Sequence, residues 1–369
     1  MKRSKPICFV ASARDFHAFD WYRTVKRLCP DRRVFLATDS VEGEGGVRLI
    51  DDSDEVLFLF PIDKYLFSRQ STVGDLWRNL VKVLSLPFSA FRLYKLAKRE
   101  DTIFHAHSMY YIFLCWLSRV KFIGTPMGSD VLLRPDYSFL YRLGTVLSLK
   151  AAEFITVDSV VLQKKVLDLS GRCSDIVQNG IDTKNAIAVG KGDVNRWRVV
   201  SLRGMYPNYR IRELVEARNV SKSKVGIHFL YPFFEEGYLK SIKSKLVAGD
   251  IDLGKLSRSE MFKLLGESFA VFSLPISDSS PRSVYEAIFC GAAVISSYGE
   301  WIEFVPSCMR ARIIVVDLNQ VGWFDNAIAR AKEISSTQFN PSDEAIRMFD
   351  EIESMKWVCG KYYSRSFDG

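Results

Sequence analysis

The chain has 369 residues, of which 48% are hydrophobic and 25% are charged, and its formal net charge is +8. This length favours two domains of ordinary size, and an aromatic content of 13% argues against extensive disorder. The charge favours anionic partners and leaves nucleotides, anionic lipid surfaces and nucleic acids open. The seven cysteines are odd in number and never form a CxxC pair, which indicates buried thiols in a reducing compartment.

The longest apolar stretch runs from Tyr110 to Leu117, far short of the roughly 20 residues that a membrane helix needs. Charged residues follow the first apolar strand and no cleavage site comes after it, so we identify no signal peptide. We therefore expect a cytoplasmic protein, with attachment to the inner face of the cytoplasmic membrane still open.

Strand and helix patterns alternate through the first half of the chain, which predicts a doubly wound parallel sheet. The loop after the first strand reads SARDFH and lacks a GxGxxG motif, which argues against a dinucleotide-binding dehydrogenase. A helix is expected from Phe16 to Leu28. Strands are expected at 5–12, 32–39, 55–61, 102–109, 121–133, 151–159 and 175–183.

Residues 69 to 99 predict two helices broken at Pro87, with basic and aromatic side chains interleaved along them. One interpretation is an amphipathic surface that lies on an anionic membrane near a lipid-linked acceptor. The other is a pair of ordinary helices that cover the sheet with one face and are solvated on the other. The sequence leaves both interpretations open.

Polar residues mark the fourth and fifth predicted strands. His105 and His107 lie in the fourth, where we expect them to point to opposite faces and to pack in the core rather than act in catalysis. Gly128, Ser129 and Asp130 are expected to end the fifth strand. A close backbone approach and two polar side chains suit a ligand there.

The second half of the chain repeats the alternation after a polar, glycine-bearing linker at 185–195. Its first strand is expected to end at Arg203, and a helix is expected from about Arg210. Ser257 and Glu260 fit a capping box at the start of a later helix. Further strands are expected at 224–232, near 251 and at 312–317, and a helical region is expected at 341–363.

The most informative stretch covers residues 269–297. A strand, a polar loop, a helix and a second strand are expected in turn at 270–275, 276–282, 283–290 and 292–296. Two serines and Pro281 are expected to set the start of the helix. Such a loop is where open α/β sheets bind ligands, and the free N–H groups of the first helical turn favour a phosphate.

Asp278 and Glu286 stand eight positions apart across this loop. Asp278, with the segment SSPRSVYEAIFCGAAVIS that follows it, resembles the acid-x7-Glu motif of the retaining nucleotide-sugar glycosyltransferases of family 4, which have the GT-B fold. The resemblance implies that Glu286 holds the donor ribose and that Asp278 faces the donor sugar. It also implies that the backbone amides at the helix start, those of Arg282, Ser283 and Val284, hold the diphosphate.

The resemblance extends to further motifs in the same order along the chain. Arg203 matches an arginine that neutralises the donor diphosphate in this family. Arg210 or Arg212 would have to replace a lysine, because this chain has Asn208 at that position. Glu300 falls in a loop that often contacts the donor sugar. The HAH and MGSD segments resemble the pattern that precedes the interdomain cleft in this family. This resemblance adds Gly128, Ser129 and Asp130 to the expected donor site.

The resemblance implies an α/β protein of the GT-B type, with two Rossmann-like doubly wound parallel-sheet domains facing a cleft. We expect an acceptor-side domain at 1–190, a donor-binding domain at 191–345 and a C-terminal helix at 346–369 that crosses back. The implied activity is retaining transfer of a sugar from a nucleotide sugar to a glycan or polyprenyl-linked acceptor, in surface polysaccharide biosynthesis such as lipopolysaccharide, O-antigen or capsule. Asp278 and Arg203 would be the catalytic residues.

No metal or other cofactor is expected, because no DxD-type carboxylate pair appears in a metal-binding context, which fits stabilisation of the leaving diphosphate by the protein's own groups. The missing lysine also fits a degenerate transferase that binds or regulates an active partner. A hydrolysing sugar-nucleotide epimerase has little support, because the motif follows the transferase pattern. A plain strand–helix–strand unit with surface carboxylates is a further alternative, and nucleic-acid binding has only the net charge behind it. The donor sugar and base, the acceptor and the oligomeric state stay open.

Overall fold

The computed structural model describes residues 4–39, 50–60, 72–191 and 195–364. These fall into two compact units, one of Met1–Gln178 with Ser354–Gly369 and the other of Asn179–Glu353. The divisions differ from the predicted boundaries at 190 and 345. The predicted linker at 185–195 contains most of a helix instead, Thr183–Gly190, whose apolar side chains pack in the second unit.

The described part of the first unit contains a parallel sheet covered by helices. Its strands are β1 (Ile7–Ala11), β2 (Val34–Thr38), β3 (Val56–Phe58), β4 (Ile103–His107), β5 (Phe122–Thr125), β6 (Phe154–Val157) and β7 (Asp175–Ile176). Its helices are α1 (Phe16–Leu28), α2 (Thr72–Arg99), α3 (Met109–Leu117), α4 (Gly128–Leu132), α5 (Arg134–Tyr137), α6 (Phe139–Ala151) and α7 (Val160–Ser170). The strand order is β3-β2-β1-β4-β5-β6-β7, so the order reverses between β1 and β4.

Strand β1 shows why this sheet is covered on both faces. All five of its residues are buried, and alternate residues enter two different apolar clusters. Cys8 and Val10 pack with α2, α3, α6 and α7, whereas Ile7 and Phe9 pack with α1 and the C-terminal segment. Helix α1 has its predicted bounds, because the Asp15 side chain accepts hydrogen bonds from the first-turn amides.

Helix α2 continues through Pro87, which corrects the prediction of two helices. A proline inside a helix removes one backbone hydrogen bond, so other contacts must hold the two halves in line. Val81, Ser85, Ser89 and Leu93 are all buried and stand four residues apart, on one stripe that crosses the proline. Packing of this stripe against the sheet outweighs the break.

The second unit repeats the arrangement with six parallel strands in its described part. The strands are β8 (Arg198–Ser201), β9 (Ile227–Leu230), β10 (Ile251–Gly254), β11 (Ser268–Ser273), β12 (Ala293–Ser296) and β13 (Ile313–Val315). The helices are α8 (Thr183–Gly190), α9 (Ile211–Val220), α10 (Glu236–Lys243), α11 (Arg258–Gly266), α12 (Arg282–Phe289), α13 (Trp301–Phe304), α14 (Ser307–Arg310), α15 (Trp323–Ser336) and α16 (Asp343–Phe349). A further helix, α17 (Glu351–Val358), begins in the second unit and belongs to the first from Ser354 on. The strand order is β10-β9-β8-β11-β12-β13, which reverses between β8 and β11.

Local signals set the bounds of the helices around β11. The predicted capping box at Ser257 and Glu260 is present at the start of α11. Gly291 ends α12 with a φ of 87°, a conformation that L residues rarely adopt, and the chain then enters β12. The two parallel-sheet units confirm the predicted fold class of two Rossmann-like domains. Among the described ranges, no helix is long and apolar enough to cross a bilayer.

Candidate active site

The candidate site lies at the carboxyl ends of β8 and β11, where the strand order of the second sheet reverses. In open α/β sheets this reversal opens a crevice in which ligands bind. Arg203 follows β8 and Asp278 lies in the loop after β11. Gly204 follows Arg203, and a Cβ atom there would overlap the Phe233 ring, so the close approach of this ring requires a glycine.

Arg203 is the centre of the site. One of its terminal nitrogens forms an ion pair with Asp278, and the other donates to the Ser283 hydroxyl at 3.2 Å. The guanidinium also lies over the Tyr209 ring, 4.6 Å from its centroid. Its Nε atom is buried and has no hydrogen-bond partner in the described part of the chain. The side chain is about one-tenth exposed, so its charge acts in a poorly solvated place.

Glu286 forms a second charged group, on helix α12. Its side chain is 6% exposed and accepts a hydrogen bond from the Arg258 guanidinium at 3.0 Å. Arg282, one turn earlier on the same helix, lies 3.7 Å from the same oxygen. The sequence prediction missed Arg258. The capping box at Ser257 was the available signal, because it places Arg258 in the first turn of α11.

The start of α12 differs from the prediction. Pro281 is the N-cap, and no side chain caps the helix. The Ser280 amide donates to the Asp278 carboxylate at 3.3 Å. The Arg282 amide donates to the Ser280 carbonyl and the Val284 amide to the Pro281 carbonyl, at 3.0 and 2.9 Å. Two of the three predicted amide donors are therefore bonded within the loop itself.

The remaining predicted residues of the second unit are Arg210, Arg212 and Glu300. Arg210 adopts a left-handed conformation with φ of 50° before α9, and its side chain is half-buried. Arg212 is exposed and directs its guanidinium to the Ser241 hydroxyl at 3.4 Å and the Tyr238 ring. Glu300 is exposed and precedes α13. Arg212 thus points toward α10.

Asn208 holds the loop that carries Asp278. Its side-chain amide donates to the Ser277 carbonyl at 3.2 Å, and its own carbonyl accepts from the Ile276 amide at 2.7 Å. A lysine was expected at this position from the family pattern. This chain therefore has, in place of the flexible lysine side chain, an asparagine whose contacts with Ile276 and Ser277 fix the backbone.

Gly128 and Asp130 do not end a strand, because β5 stops at Thr125 and Gly128 begins α4. Asp130 is buried, accepts a hydrogen bond from the Met109 amide at 3.1 Å and pairs with Arg134 at 3.1 Å. The carboxylate therefore fixes the start of α3 in the first unit. Of Ser129, the structure describes the backbone only.

His105 and His107 lie on the same face of β4, so the expectation of opposite faces was wrong. Residues two apart on a strand share a face, and their ring centroids are 4.7 Å apart. Burial, with the neighbouring His107, lowers the pKa of His105 far below its ordinary value. Burial and the charge of His17 lower the pKa of His107 to about 3. Both rings are therefore neutral near pH 7.

Within the described ranges, no group of three or more His, Cys, Asp and Glu side chains is arranged to hold a metal ion. No family model and no curated protein sequence matches the chain. Solved structures do match it over nearly its full length.

The structure of Anabaena Alr3699/HepE in complex with UDP is similar with a TM-score of 0.71 and 15% identity, over 98% of this chain and 100% of that one. Sucrose-phosphate synthase from Thermosynechococcus elongatus has a TM-score of 0.71 and 12% identity, over 98% of each chain. The apo form of the lipopolysaccharide outer core galactosyltransferase WaaB has a TM-score of 0.62 and 12% identity, over 98% and 100%. At such identities the likeness shows the fold, which is the GT-B fold.

Proposed function

We propose that the protein is a retaining glycosyltransferase that moves a sugar from a nucleotide sugar to a glycan or lipid-linked acceptor, in the biosynthesis of a surface polysaccharide. The observation that carries the proposal is the Arg203–Asp278–Ser283 group at the strand reversal of the second sheet. Similar structures support the choice of ligand, because Alr3699/HepE was solved with UDP-glucose and WaaB is a galactosyltransferase.

Arg203 would bind the donor diphosphate. A guanidinium presents two parallel N–H donors to phosphate oxygens, and such charge-assisted bonds are strong where water is scarce. Asp278 occupies part of that fork. A diphosphate would take its place on Arg203 and release the carboxylate toward the sugar, the role that the family resemblance gives it.

Glu286 would accept the hydroxyl groups of the donor ribose. Arg258 and Arg282 both approach one of its carboxylate oxygens, which fixes the orientation of the group. A carboxylate held in this way can accept hydrogen bonds from a diol. This assignment makes Arg258 a positioning residue that acts through Glu286.

The proposed chemistry breaks the bond between the anomeric carbon and the diphosphate oxygen, and the electron pair leaves with the diphosphate. The acceptor hydroxyl forms the new bond on the same face of the sugar, and its proton passes to the departing phosphate. Arg203, with Arg210, would stabilise the charge that develops on the leaving group. We propose that these cations act without a metal ion.

The first unit carries a surface that suits an acceptor held at a membrane. We define the exposed helix face as the outward apolar side chains of α2 and α6, which include Leu84, Phe91, Phe139 and Leu140. Leu84 is 70% exposed and Leu140 is 78% exposed, whereas an ordinary solvated helix face carries polar side chains at such positions. Helix α2 carries six basic residues and one acidic residue. Apolar side chains beside a basic excess suit an anionic lipid surface.

A binding protein that does not turn over its ligand is the second candidate. It is favoured by Asn208, which replaces the expected lysine and ties down the Asp278 loop. The measurement that separates the two candidates is release of free nucleotide from a nucleotide sugar, with and without a lipid-linked glycan acceptor. Turnover lost in Arg203→Ala supports the transferase. Binding without turnover in the wild type supports the second candidate and overturns the first.

The exposed helix face has its own test, sedimentation with phosphatidylglycerol vesicles against phosphatidylcholine vesicles. We expect the wild type to sediment with the anionic vesicles and the double variant Leu84→Ser, Phe91→Ser to lose most of this binding. Val321→Ser is the control, since Val321 is 97% exposed but lies in the second unit. Equal binding by the wild type and the double variant would contradict the membrane assignment.

A further inference from the structure

Two cysteines separated by 330 positions lie side by side in the first unit. Cys29 follows the last residue of α1, and Cys359 opens the C-terminal turn Cys359–Tyr363. Their sulfur atoms are 3.8 Å apart, and both side chains are half-buried. Among the other cysteines, three are buried, Cys173 is exposed, and Cys308 is half-buried beside Ser342.

We propose that Cys29 and Cys359 form a site of reversible oxidation, which takes a small-molecule disulfide such as oxidised glutathione and closes into an intramolecular disulfide. The bond would join the end of α1 to the C-terminal segment. These two parts of the first unit are connected along the chain only through the second unit. The site is independent of the proposed transferase activity.

The surroundings favour closure of the pair. A disulfide requires the sulfur atoms to approach by roughly 2 Å, a movement that side-chain rotation can supply where both residues lie at helix ends. The hydrogen bond between the two thiols, aided by the charge of Arg32, lowers the pKa of Cys29 to about 7 against the effect of burial. The same contact, with burial, raises the pKa of Cys359. Cys29 is therefore the thiol that reacts first.

The reaction balances as two thiol–disulfide exchanges. The Cys29 thiolate attacks one sulfur of oxidised glutathione, forms a mixed disulfide and releases one glutathione thiolate. Cys359 gives up its proton and attacks the Cys29 sulfur, which releases the second glutathione. Two electrons pass from the protein to glutathione, the two thiol protons end on the two released glutathiones, and excess reduced glutathione reverses both steps.

The bond would add a covalent link to a segment that is docked by non-covalent contacts, which are the apolar packing of Met355, Val358 and Tyr362 in the first unit and a set of polar contacts. The Tyr363 hydroxyl lies 2.5 Å from His105 Nδ1, and the Tyr363 carbonyl accepts from the Arg32 guanidinium at 2.8 Å. Lys361 pairs with Asp175 at 2.7 Å. Each of these contacts can break and reform, whereas a covalent link would prevent the segment from leaving the first unit.

The test is equilibration of the full chain with mixtures of reduced and oxidised glutathione, followed by mass measurement and peptide mapping. We expect a species that has lost two hydrogen atoms and yields a Cys29–Cys359 linked peptide. Cys29→Ser and Cys359→Ser should abolish it, and Cys173→Ser should leave it unchanged. Cys29→Ala provides a second variant in case serine disturbs the helix end.

A second readout follows the C-terminal segment itself. Oxidation should slow amide hydrogen exchange in residues 354–364 of the wild type and raise its unfolding temperature, and neither change should occur in Cys29→Ser. Glutathione bound only at Cys173, or a disulfide that persists in Cys29→Ser, would overturn the proposal.

Discussion

The strand order reverses between β1 and β4 in the first sheet and between β8 and β11 in the second, yet the two reversals differ in their polar contacts. In the first, Asp130 accepts the Met109 amide, and His105 bonds to Thr125 at 2.7 Å. In the second, Arg203 pairs with Asp278 across two loops, and the Asp278 carboxylate accepts the Ser280 amide of its own loop at 3.3 Å.

This difference separates side chains that hold the fold from side chains that can exchange a partner. A carboxylate that accepts a backbone amide fixes the chain, and its loss leaves the amide unsatisfied. When a ligand anion replaces Asp278 on Arg203, the carboxylate can keep the Ser280 amide of its own loop, so no backbone amide is left unsatisfied. The second reversal is therefore the better candidate for binding an anion.

Arg218 and Asp250 provide a fold-holding pair in the second unit for comparison. The pair is almost fully buried, and Asp250 also accepts the amides of Ile227 and Val247 at 2.9 and 3.0 Å. Arg218→Ala should lower the free energy of unfolding by about 3–5 kcal/mol, because it leaves a buried carboxylate unpaired. Urea unfolding measures this loss. Arg203→Ala should lower the free energy of unfolding by less than Arg218→Ala does. Equal losses in the two variants would contradict the distinction between the two pairs.

Arg203→Ala should instead remove the affinity for the donor diphosphate. Loss of a charged donor in a poorly solvated site costs about 2–4 kcal/mol, so we expect kcat/KM for the donor to fall by roughly 30- to 1000-fold. Arg203→Lys should recover only part of this, because lysine lacks the planar fork. Arg212→Ala is the matched control and should behave like the wild type. A similar loss of kcat/KM in Arg203→Ala and Arg212→Ala would mean that the overall positive charge, rather than the position of Arg203, causes the effect.

Glu286→Ala should act on the ribose and spare the diphosphate. Removing the acceptor of a sugar hydroxyl should weaken nucleoside diphosphate binding by roughly tenfold, which is about 1.4 kcal/mol. Inorganic pyrophosphate should bind this variant as it binds the wild type, whereas Arg203→Ala should lose both ligands. Calorimetric titration with the two ligands compares them. Loss of pyrophosphate binding in Glu286→Ala would contradict the division of roles.

The histidines of β4 should affect the pH dependence of stability. The pKa of His107 is lowered to about 3 by burial, so between pH 3 and 6.5 the unfolded chain binds a proton that the folded chain does not. Stability should therefore fall as the pH drops below about 6.5, by up to ~1.4 kcal/mol per pH unit from this residue. His107→Gln should flatten the slope measured by urea unfolding. An unchanged slope would mean that His107 is charged in the fold.

The sequence predicted the order of strands and helices better than the contacts between them. The helical pattern of Phe16–Leu28 and the capping box at Ser257 are local signals, and they placed α1 and the start of α11 correctly. The predicted break at Pro87 was wrong, because tertiary packing of the buried stripe keeps α2 continuous through the proline. The spacing of Asp278 and Glu286 and the family resemblance selected both residues as candidates. Arg258 was missed, because it contacts Glu286 from 28 positions away in the sequence.

The central claim is that the strand reversal of the second sheet binds a nucleoside diphosphate. Thermal unfolding of the wild type and Arg203→Ala with a panel of nucleotides and nucleotide sugars, UDP-glucose included, tests it most directly. A ligand at a hundred times its dissociation constant stabilises the native state by ~2.7 kcal/mol, which gives a measurable shift. We predict a shift with one nucleotide type in the wild type and none in Arg203→Ala. No shift with any nucleotide, or the same shift in both proteins, would contradict the claim.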